Sequence, residues 1–481
     1  MSEATDLCAL GASALSEAIH AGRASCLEVM DATLARIAAV NPRANAIVSL
    51  RDGDALRAEA RARDGELAQG HSRGWMHGMP HAVKDLAPVR GLPFTRGSPL
   101  FEDFVPESDA LFVERLRGAG AILIGKTNVP EFGLGSNTFN PVFGATPNPY
   151  AADRIAGGSS GGAAAALALR LLPCADGSDT GGSLRNPAAY NNVLGLRPSL
   201  NRVPVGTDEV FLPPLGVAGP MARTTADLGR LLATLSGYDA RAPQSRTDDP
   251  NAFVDVPARD LTGLRVAWLG DLDGYLPFEP GVLALCEAGV AVLAARGAVV
   301  EHVVPDFDHD RLWRAWLALR QWHIGGGLGA LYRDPGKRDA FKPEAAWEIE
   351  ASFRLTAADI YAASLVRSAW YRCVEALFRR HDVLMLPSAQ VFPFALDTDW
   401  PREVGGRTMD TYHRWMEVVI GATMAGVPAI SLPVGFDPRG LPMGMQVIAP
   451  NLAERLLLEV AAAYEEATGF DRVEPPRASR G

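Results

Sequence analysis

The run Gly157-Gly-Ser-Ser-Gly-Gly-Ala-Ala-Ala-Ala-Leu-Ala-Leu169 restricts the fold more than any other stretch of the chain. Side chains this small bury little apolar area of their own. A helix built from them gains stability only where its backbone comes close to another element, and a β-sheet is the natural partner. The surrounding pattern supports that reading. Val113-Glu-Arg-Leu-Arg-Gly-Ala-Gly-Ala-Ile-Leu-Ile-Gly-Lys-Thr127 reads as helix, turn and a buried strand at Ala121–Ile124. Strands at Leu264–Leu269 and Val299–Val304 flank a helix around 281–296. The sequence therefore predicts an α/β fold.

With 481 residues, 48% of them hydrophobic and 21% charged, the chain has ample material for a core, and disorder over most of its length is excluded. The formal charge of −10 argues against nucleic acid or an anionic membrane as partner, since either needs a basic footprint. Cys8, Cys26, Cys174, Cys286 and Cys373 show no zinc spacing and read as free thiols in a reducing compartment. Met1–Leu10 lacks the basic and apolar regions of a secretory signal. Val418–Phe436 has the length of a membrane span, but Gly421, Gly426, Pro428, Pro433 and Gly435 break it into turns and short strands. A cytoplasmic protein is expected.

Helical periodicity runs over 9–40, and an Ala/Arg/Glu-rich solvated helix is expected over 54–68. From 78 to 230 glycine and proline are dense and apolar runs short. Residues 305–415 are aromatic and mostly helical. Core strands at Pro428–Val434 and Met443–Ile448 and a closing helix at Ala453–Thr468 complete the chain.

Gly120-Ala-Ile-Leu-Ile-Gly-Lys-Thr127 matches the phosphate-loop pattern letter for letter. Its four middle residues are an apolar strand rather than a flexible loop of exposed amides, so a nucleotide site is not expected. Gly157–Gly162 contains GxSxG twice, around Ser159 and Ser160, yet nothing before it reads as the strand a nucleophile elbow requires. His323-Ile-Gly-Gly-Gly327 resembles an oxyanion motif but follows the serines, where that fold does not place it. In Gly177-Ser-Asp-Thr-Gly-Gly-Ser-Leu-Arg-Asn-Pro-Ala188, two glycines directly before Ser183 leave amides uncovered and free to turn toward one point. That is the wiring of an oxyanion hole beside a nucleophile, or equally of a tight turn.

A serine nucleophile needs a base. Only four of the 46 basic residues are lysines (Lys84, Lys126, Lys337, Lys342), so each asks for a reason. Lys84, in Gly78-Met-Pro-His-Ala-Val-Lys-Asp-Leu86, follows a short apolar run. A buried lysine can lose its proton, whereas arginine cannot. Base and ion pair with Asp85 are equally good readings of this segment alone.

Taken in order, GMPHAVKDL, GKTNVPEFG at 125–133, GGSSGG at 157–162 and GSDTGGSLRNPA at 177–188 closely resemble the amidase signature family. GVPAISLP at 426–433 and GLPMGMQ at 440–446 resemble its C-terminal core. The resemblance spans about 5–470. It implies one domain over 1–481 with a large mixed central β-sheet covered by helices on both faces. Within it, N-terminal helices would occupy about 5–70, the signature core about 75–240, a peripheral helical insertion or cap about 305–415, and a C-terminal core about 416–470. By the same resemblance Ser183 is the nucleophile, Ser159 the serine of a cis peptide, and Lys84 the base. Amides of Thr180, Gly181, Gly182 and Ser183 would form the oxyanion hole, with Asp179 and Arg185 in support.

The implied reaction is cleavage of a linear carboxylic amide to acid and amine through a seryl acyl-enzyme. Ser159 would relay a proton from Ser183 to neutral Lys84 and back to the leaving amine, and water would repeat the cycle. Such a reaction requires no metal, nucleotide or organic cofactor, and its partner is a small-molecule amide; a homodimer stays open. Carbamates (urethanes) or urea-like amides are alternative substrates of the same triad. So is glutamine, in the amidase subunit of a tRNA amidotransferase, although Asp208–Gly216 departs from the pattern of that component. Seven of the nine tryptophans fall within 305–415 (Trp313, Trp316, Trp322, Trp347, Trp370, Trp400, Trp415), which suggests a bulky or aryl substrate held under an aromatic cap.

Overall fold

The computed structural model describes residues 6–206, 209–212 and 214–476. Thirteen strands occur among them: β1 Ile47–Val48, β2 Pro80–Lys84, β3 Ile122–Thr127, β4 Cys174–Asp179, β5 Leu194–Arg197, β6 Val217–Ala222, β7 Arg265–Trp268, β8 Val299–His302, β9 Val383–Pro387, β10 Glu403–Val404, β11 Arg407–Thr408, β12 Ala429–Phe436 and β13 Pro442–Ile448. Eight of them form the central sheet in the order β4-β6-β5-β12-β13-β9-β7-β8. It is mixed: β7 pairs in parallel with β8 and β9, and the other neighbours are antiparallel. A second sheet, β1-β3-β2, lies beside it, and β10-β11 is a two-stranded ribbon.

The small-residue run forms the helix Gly161–Ala168, all of it buried, against strands of both main sheets. Glycine is required for that approach, because a Cβ on Gly162 would lie 2.3 Å from the backbone nitrogen of Asn128. Its N-terminal end thus carries Ser159 and Ser160 into the seam between the sheets. Asp176 on β4 closes the seam from the other side, accepting from His81 Nε2 at 3.0 Å and the Lys84 amide at 3.2 Å. A buried carboxylate satisfied in this way fixes the end of β2 against the central sheet.

Several expectations change in detail. The 9–40 periodicity resolves into two helices, Ala12–His20 and Cys26–Ala44, because Ser25 and Glu28 form a capping box that starts the second one afresh. Strand β3 runs on through Lys126 and Thr127, and all six of its residues are buried. The largest correction concerns the stretch 305–415. Its helices His309–Tyr332, Pro335–Arg338, Pro343–Ser352 and Ala357–Phe378 end well before residue 415. Val383–Pro387 is then a fully buried strand between β13 and β7, so a sheet strand divides the expected cap. The run Val-Leu-Met-Leu-Pro is apolar on both faces, as an interior strand requires. All five cysteines are free thiols, and no helix among the described residues is long and apolar enough to cross a membrane.

Candidate active site

Lys84 ends β2 and is 2% exposed. Its Nζ lies 2.8 Å from Ser159 Oγ, 2.7 Å from Ser160 Oγ and 3.0 Å from Ser178 Oγ, and it donates to the Ser178 carbonyl at 3.4 Å. Among the described residues no carboxylate pairs with this nitrogen. Asp85, the alternative partner, instead accepts from Thr95 Oγ1 at 2.5 Å and lies 3.6 Å from Lys126 Nζ. Burial pulls Lys84 down from 10.5 to about 7, against the opposing fields of Asp176 and Asp179. Near neutral pH a large share of this side chain is therefore an amine, able to accept a proton from a hydroxyl.

Ser159 follows a cis peptide bond, Gly158–Ser159. Ser160 is held by its amide, which donates to the Ser183 carbonyl at 3.3 Å, and Ser159 and Ser183 line one cavity of about 320 Å³. Among the described residues the Ser183 hydroxyl has no hydrogen-bond partner. The turn carrying it is clamped by Asp179, whose carboxylate accepts from the amides of Gly182 (3.0 Å) and Leu184 (3.2 Å). It also accepts from Arg185 through two nitrogens at 3.0 Å each, and from Arg197 at 3.3 Å. Burial alone would raise the Asp179 carboxyl, but Arg185 and Arg197 together hold it well below the usual range. Arg185 further donates to Gln446 Oε1 at 2.7 Å and the Val419 carbonyl at 2.8 Å, anchoring the C-terminal core to the turn.

This clamp sorts the four amides expected to meet an oxyanion. The Gly182 amide is committed to Asp179, whereas those of Thr180, Gly181 and Ser183 have no partner among the described residues. Gly182 matters through its backbone: its φ is +86°, and a Cβ there would lie 2.6 Å from Val419 Cγ2.

The discounted motifs have structural explanations. Lys126 is fully buried in β3, with its ammonium near Asp85 and over the Phe94 ring, where no phosphate reaches it. His323-Ile-Gly-Gly-Gly327 is helical, within His309–Tyr332. Among the described residues no strand leads directly into the GxSxG pair, the nearest before it, β3, ending at Thr127. Of the seven clustered tryptophans only Trp316 lines the Ser183 cavity. Trp313, Trp370 and Trp415 are buried among core residues of the helical region, Trp347 is partly exposed, and Trp400 lies beneath Arg402. Sequence reasoning assigns no role to Ser160, Ser178, Asp176 or Arg197. Small polar residues in glycine-rich segments carry no signal of their own until a partner is known. Among the described residues no group of three or more His, Cys, Asp or Glu side chains could hold a metal ion.

The Amidase family model matches residues 28–458. The chain belongs to the amidase signature family. It is an amidohydrolase, an enzyme acting on carbon–nitrogen bonds other than peptide bonds. Among curated relatives of this amidase is a subunit of the glutamyl-tRNA(Gln) amidotransferase of Acidothermus cellulolyticus, 36% identical over 493 residues, covering 96% of this chain and 95% of the relative. Its counterpart from Salinispora arenicola is 35% identical, covering 97% of this chain and 98% of the relative. Among solved structures, a bacterial aryl acylamidase superposes with a TM-score of 0.90 at 28% identity, covering 97% of this chain and 99% of the other. A 6-aminohexanoate cyclic dimer hydrolase complexed with substrate gives 0.85 at 28% identity, covering 98% and 99%.

Proposed function

We propose that this amidase cleaves a linear carboxylic amide with a bulky or aryl group, with Ser183 as nucleophile, Ser159 as proton shuttle and Lys84 as base. One observation carries the reading: Lys84 is buried among three hydroxyls without a carboxylate, the arrangement that leaves an amine neutral and still hydrogen-bonded. Ser183 Oγ attacks the amide carbonyl while its proton passes through Ser159 to Lys84. The oxyanion is met by amides of the Thr180–Ser183 turn, each worth about 2.7–4 kcal/mol of barrier. Of these, Thr180, Gly181 and Ser183 have amides to offer, and Gly182 shapes the turn. The proton returns along the relay to the leaving amine, and water then deacylates Ser183.

Support for a bulky or aryl group comes from Trp316 and Phe132 on the cavity wall, joined by Leu134, Leu215 and Met416. Only Trp316 of these lies in the region expected to supply the aromatic surface. A panel of anilides, short aliphatic amides, carbamates and ureas, scored by amine release, tests the reading. Preferred turnover of anilides, abolished in Ser183→Ala, is the expected result. Preference for carbamates or ureas would transfer the triad to that class. Release of amine undiminished in Ser183→Ala would refute the mechanism.

A second reading is favoured by the curated relatives, which are components of a tRNA amidotransferase. The segment 208–216, expected from the sequence to depart from the pattern of that component, includes Asp208 and Pro213, which lie outside the described residues. This reading requires glutaminase activity that depends on partner proteins, and hydrolysis of anilides by the isolated chain counts against it.

A further inference from the structure

The Ser183 cavity adjoins a larger one of about 670 Å³, and the two share Leu86, Phe132, Ser178 and Thr180 as wall. Lys84 opens onto the larger cavity, as does Arg96. Arg96 is unusual among the inward-facing arginines of this chain. Arg185, Arg197, Arg202, Arg223 and Arg320 all donate to carboxylates or carbonyls. The Arg96 side chain donates to nothing among the described residues and forms no ion pair with them, and its Nε is buried without a partner.

The guanidinium is nevertheless held in place. Its Cζ lies 4.7 Å from the ring centroids of both Phe94 and Phe101. The Arg96 carbonyl accepts from the Phe132 amide at 2.8 Å, which ties this position to the shared wall. The acid whose field reaches it, Asp85, is already committed to Thr95 and Lys126. Aromatic contacts engage the face of a guanidinium, whereas its N–H donors lie in the plane. The result is a fixed cation, its in-plane donors unused by any described residue, at a cavity beside the proposed catalytic groups.

We infer that Arg96 binds a carboxylate of the substrate, so that the enzyme takes amides carrying an anionic group on the part that enters the larger cavity. This rests on the Ser183–Ser159–Lys84 reading above. A carboxylate is the ligand because its two oxygens match the in-plane fork in a bidentate pair. Among the described residues no acceptor has to be displaced to admit it. Arginine remains charged at any working pH, so the preference would persist across the whole active range.

The test separates binding from turnover. In Ser183→Ala protein, calorimetry would compare 4-acetamidobenzoate with 4-acetamidobenzamide, which differ on the amine side. N-phenylsuccinamate and its amide, which differ on the acyl side, form the second pair. At least one carboxylate should bind about tenfold or more tightly than its neutral partner, the size expected of hydrogen bonds to a charged group. Arg96→Met added to Ser183→Ala should abolish that preference. Arg96→Lys, which keeps a charge but not the fork, should retain only part of it, with melting temperatures confirming that both variants fold. Absence of a preference in both pairs, or a preference that survives Arg96→Met, would overturn the inference. Hydrolysis of neutral anilides by the intact enzyme reports on the reaction separately. If it occurs without any carboxylate preference, the Arg96 assignment alone is wrong. A preference lost with Arg96 but without hydrolysis of any amide would overturn the reaction and keep the site.

Discussion

Lys84 and Lys126 sit on neighbouring parallel strands, with Lys126 opposite Val83 and Lys84 opposite Thr127. One step of register sends the two side chains to opposite faces of the small sheet. Both are buried, and burial lowers both from the ordinary lysine value. Their partners differ. Lys126 has Asp85 at 3.6 Å, a charge that keeps its ammonium paired. Lys84 has hydroxyls of Ser159, Ser160 and Ser178 and one carbonyl. Hydroxyls donate as well as accept, so they solvate an amine as readily as an ammonium. Burial makes deprotonation of either lysine cheaper; the neighbours decide which one can use it. The same contrast explains why a letter-perfect phosphate-loop match around Lys126 points to no chemistry, while the unremarkable segment around Lys84 supplies the proposed base.

The largest effect belongs to the group that Lys84 is proposed to serve and Lys126 is not. Ser183→Ala should lower kcat/KM for a hydrolysed anilide by about 10⁴-fold or more, with little change in melting temperature, since its hydroxyl bonds to none of the described residues. A variant retaining a tenth of the activity would remove Ser183 from the chemistry.

Next come the lysines themselves. Lys84→Arg and Lys84→Ala should each lose about 10³-fold in kcat/KM, because arginine keeps the charge but cannot deprotonate. Near-normal turnover in the arginine variant would make Lys84 an electrostatic prop and erase the contrast with Lys126. Lys126→Met should act on stability, costing about 3–5 kcal/mol in denaturant unfolding by leaving Asp85 buried and unpaired. A loss of turnover as deep as that of Lys84→Ala, at unchanged stability, would show that both lysines are catalytic.

Lys84 also leaves a mark on stability. Its folded value of about 7 lies below the free value of 10.5, so folding releases a proton between these limits. Its contribution is fully present above pH 10.5 and is lost as pH falls through about 7. Unfolding measured at pH 9 and pH 6 should show a smaller decline in Lys84→Met than in the parent enzyme.

The legible part of the molecule follows from these environments. Apolar strands such as β7 and the small-residue helix Gly161–Ala168 show in the sequence because their composition leaves few alternatives. Strand β4 does not show. Cys-Ala-Asp-Gly-Ser-Asp has no apolar run to announce a strand, yet it is paired with β6 along its whole length. Its polar side chains are satisfied at long range, Asp176 by His81 and the Lys84 amide, Asp179 by Arg185 and Arg197. Local propensity cannot register partners so far away in sequence. For the site, the motif order pointed to Lys84, Ser159 and Ser183, while Ser160 and Ser178 became visible only once Lys84 Nζ was placed among them. The tryptophan enrichment in 305–415 misled for a related reason: a helical layer and a binding pocket use the same residues.

That ambiguity gives the smallest expected effect. Trp316→Ala should change the ratio of anilide to aliphatic amide turnover several-fold, since it lines the Ser183 cavity. Trp370→Ala should leave that ratio alone and cost about 3–5 kcal/mol in stability, because its indole is buried and donates to the Gly421 carbonyl at 2.8 Å. Equal selectivity changes in both would return the helical region to a substrate-binding role.

The most direct measurement of the central claim needs no knowledge of the substrate. Phenylmethanesulfonyl fluoride sulfonylates an activated serine, and its second-order rate can be followed from pH 5 to 10, with the modified peptide identified by mass. Modification at Ser183, with a rate that rises with pH and levels off around a midpoint near 7, is the result expected if neutral Lys84 is the base. A rate independent of pH across that range, or one unchanged in Lys84→Arg, would contradict it.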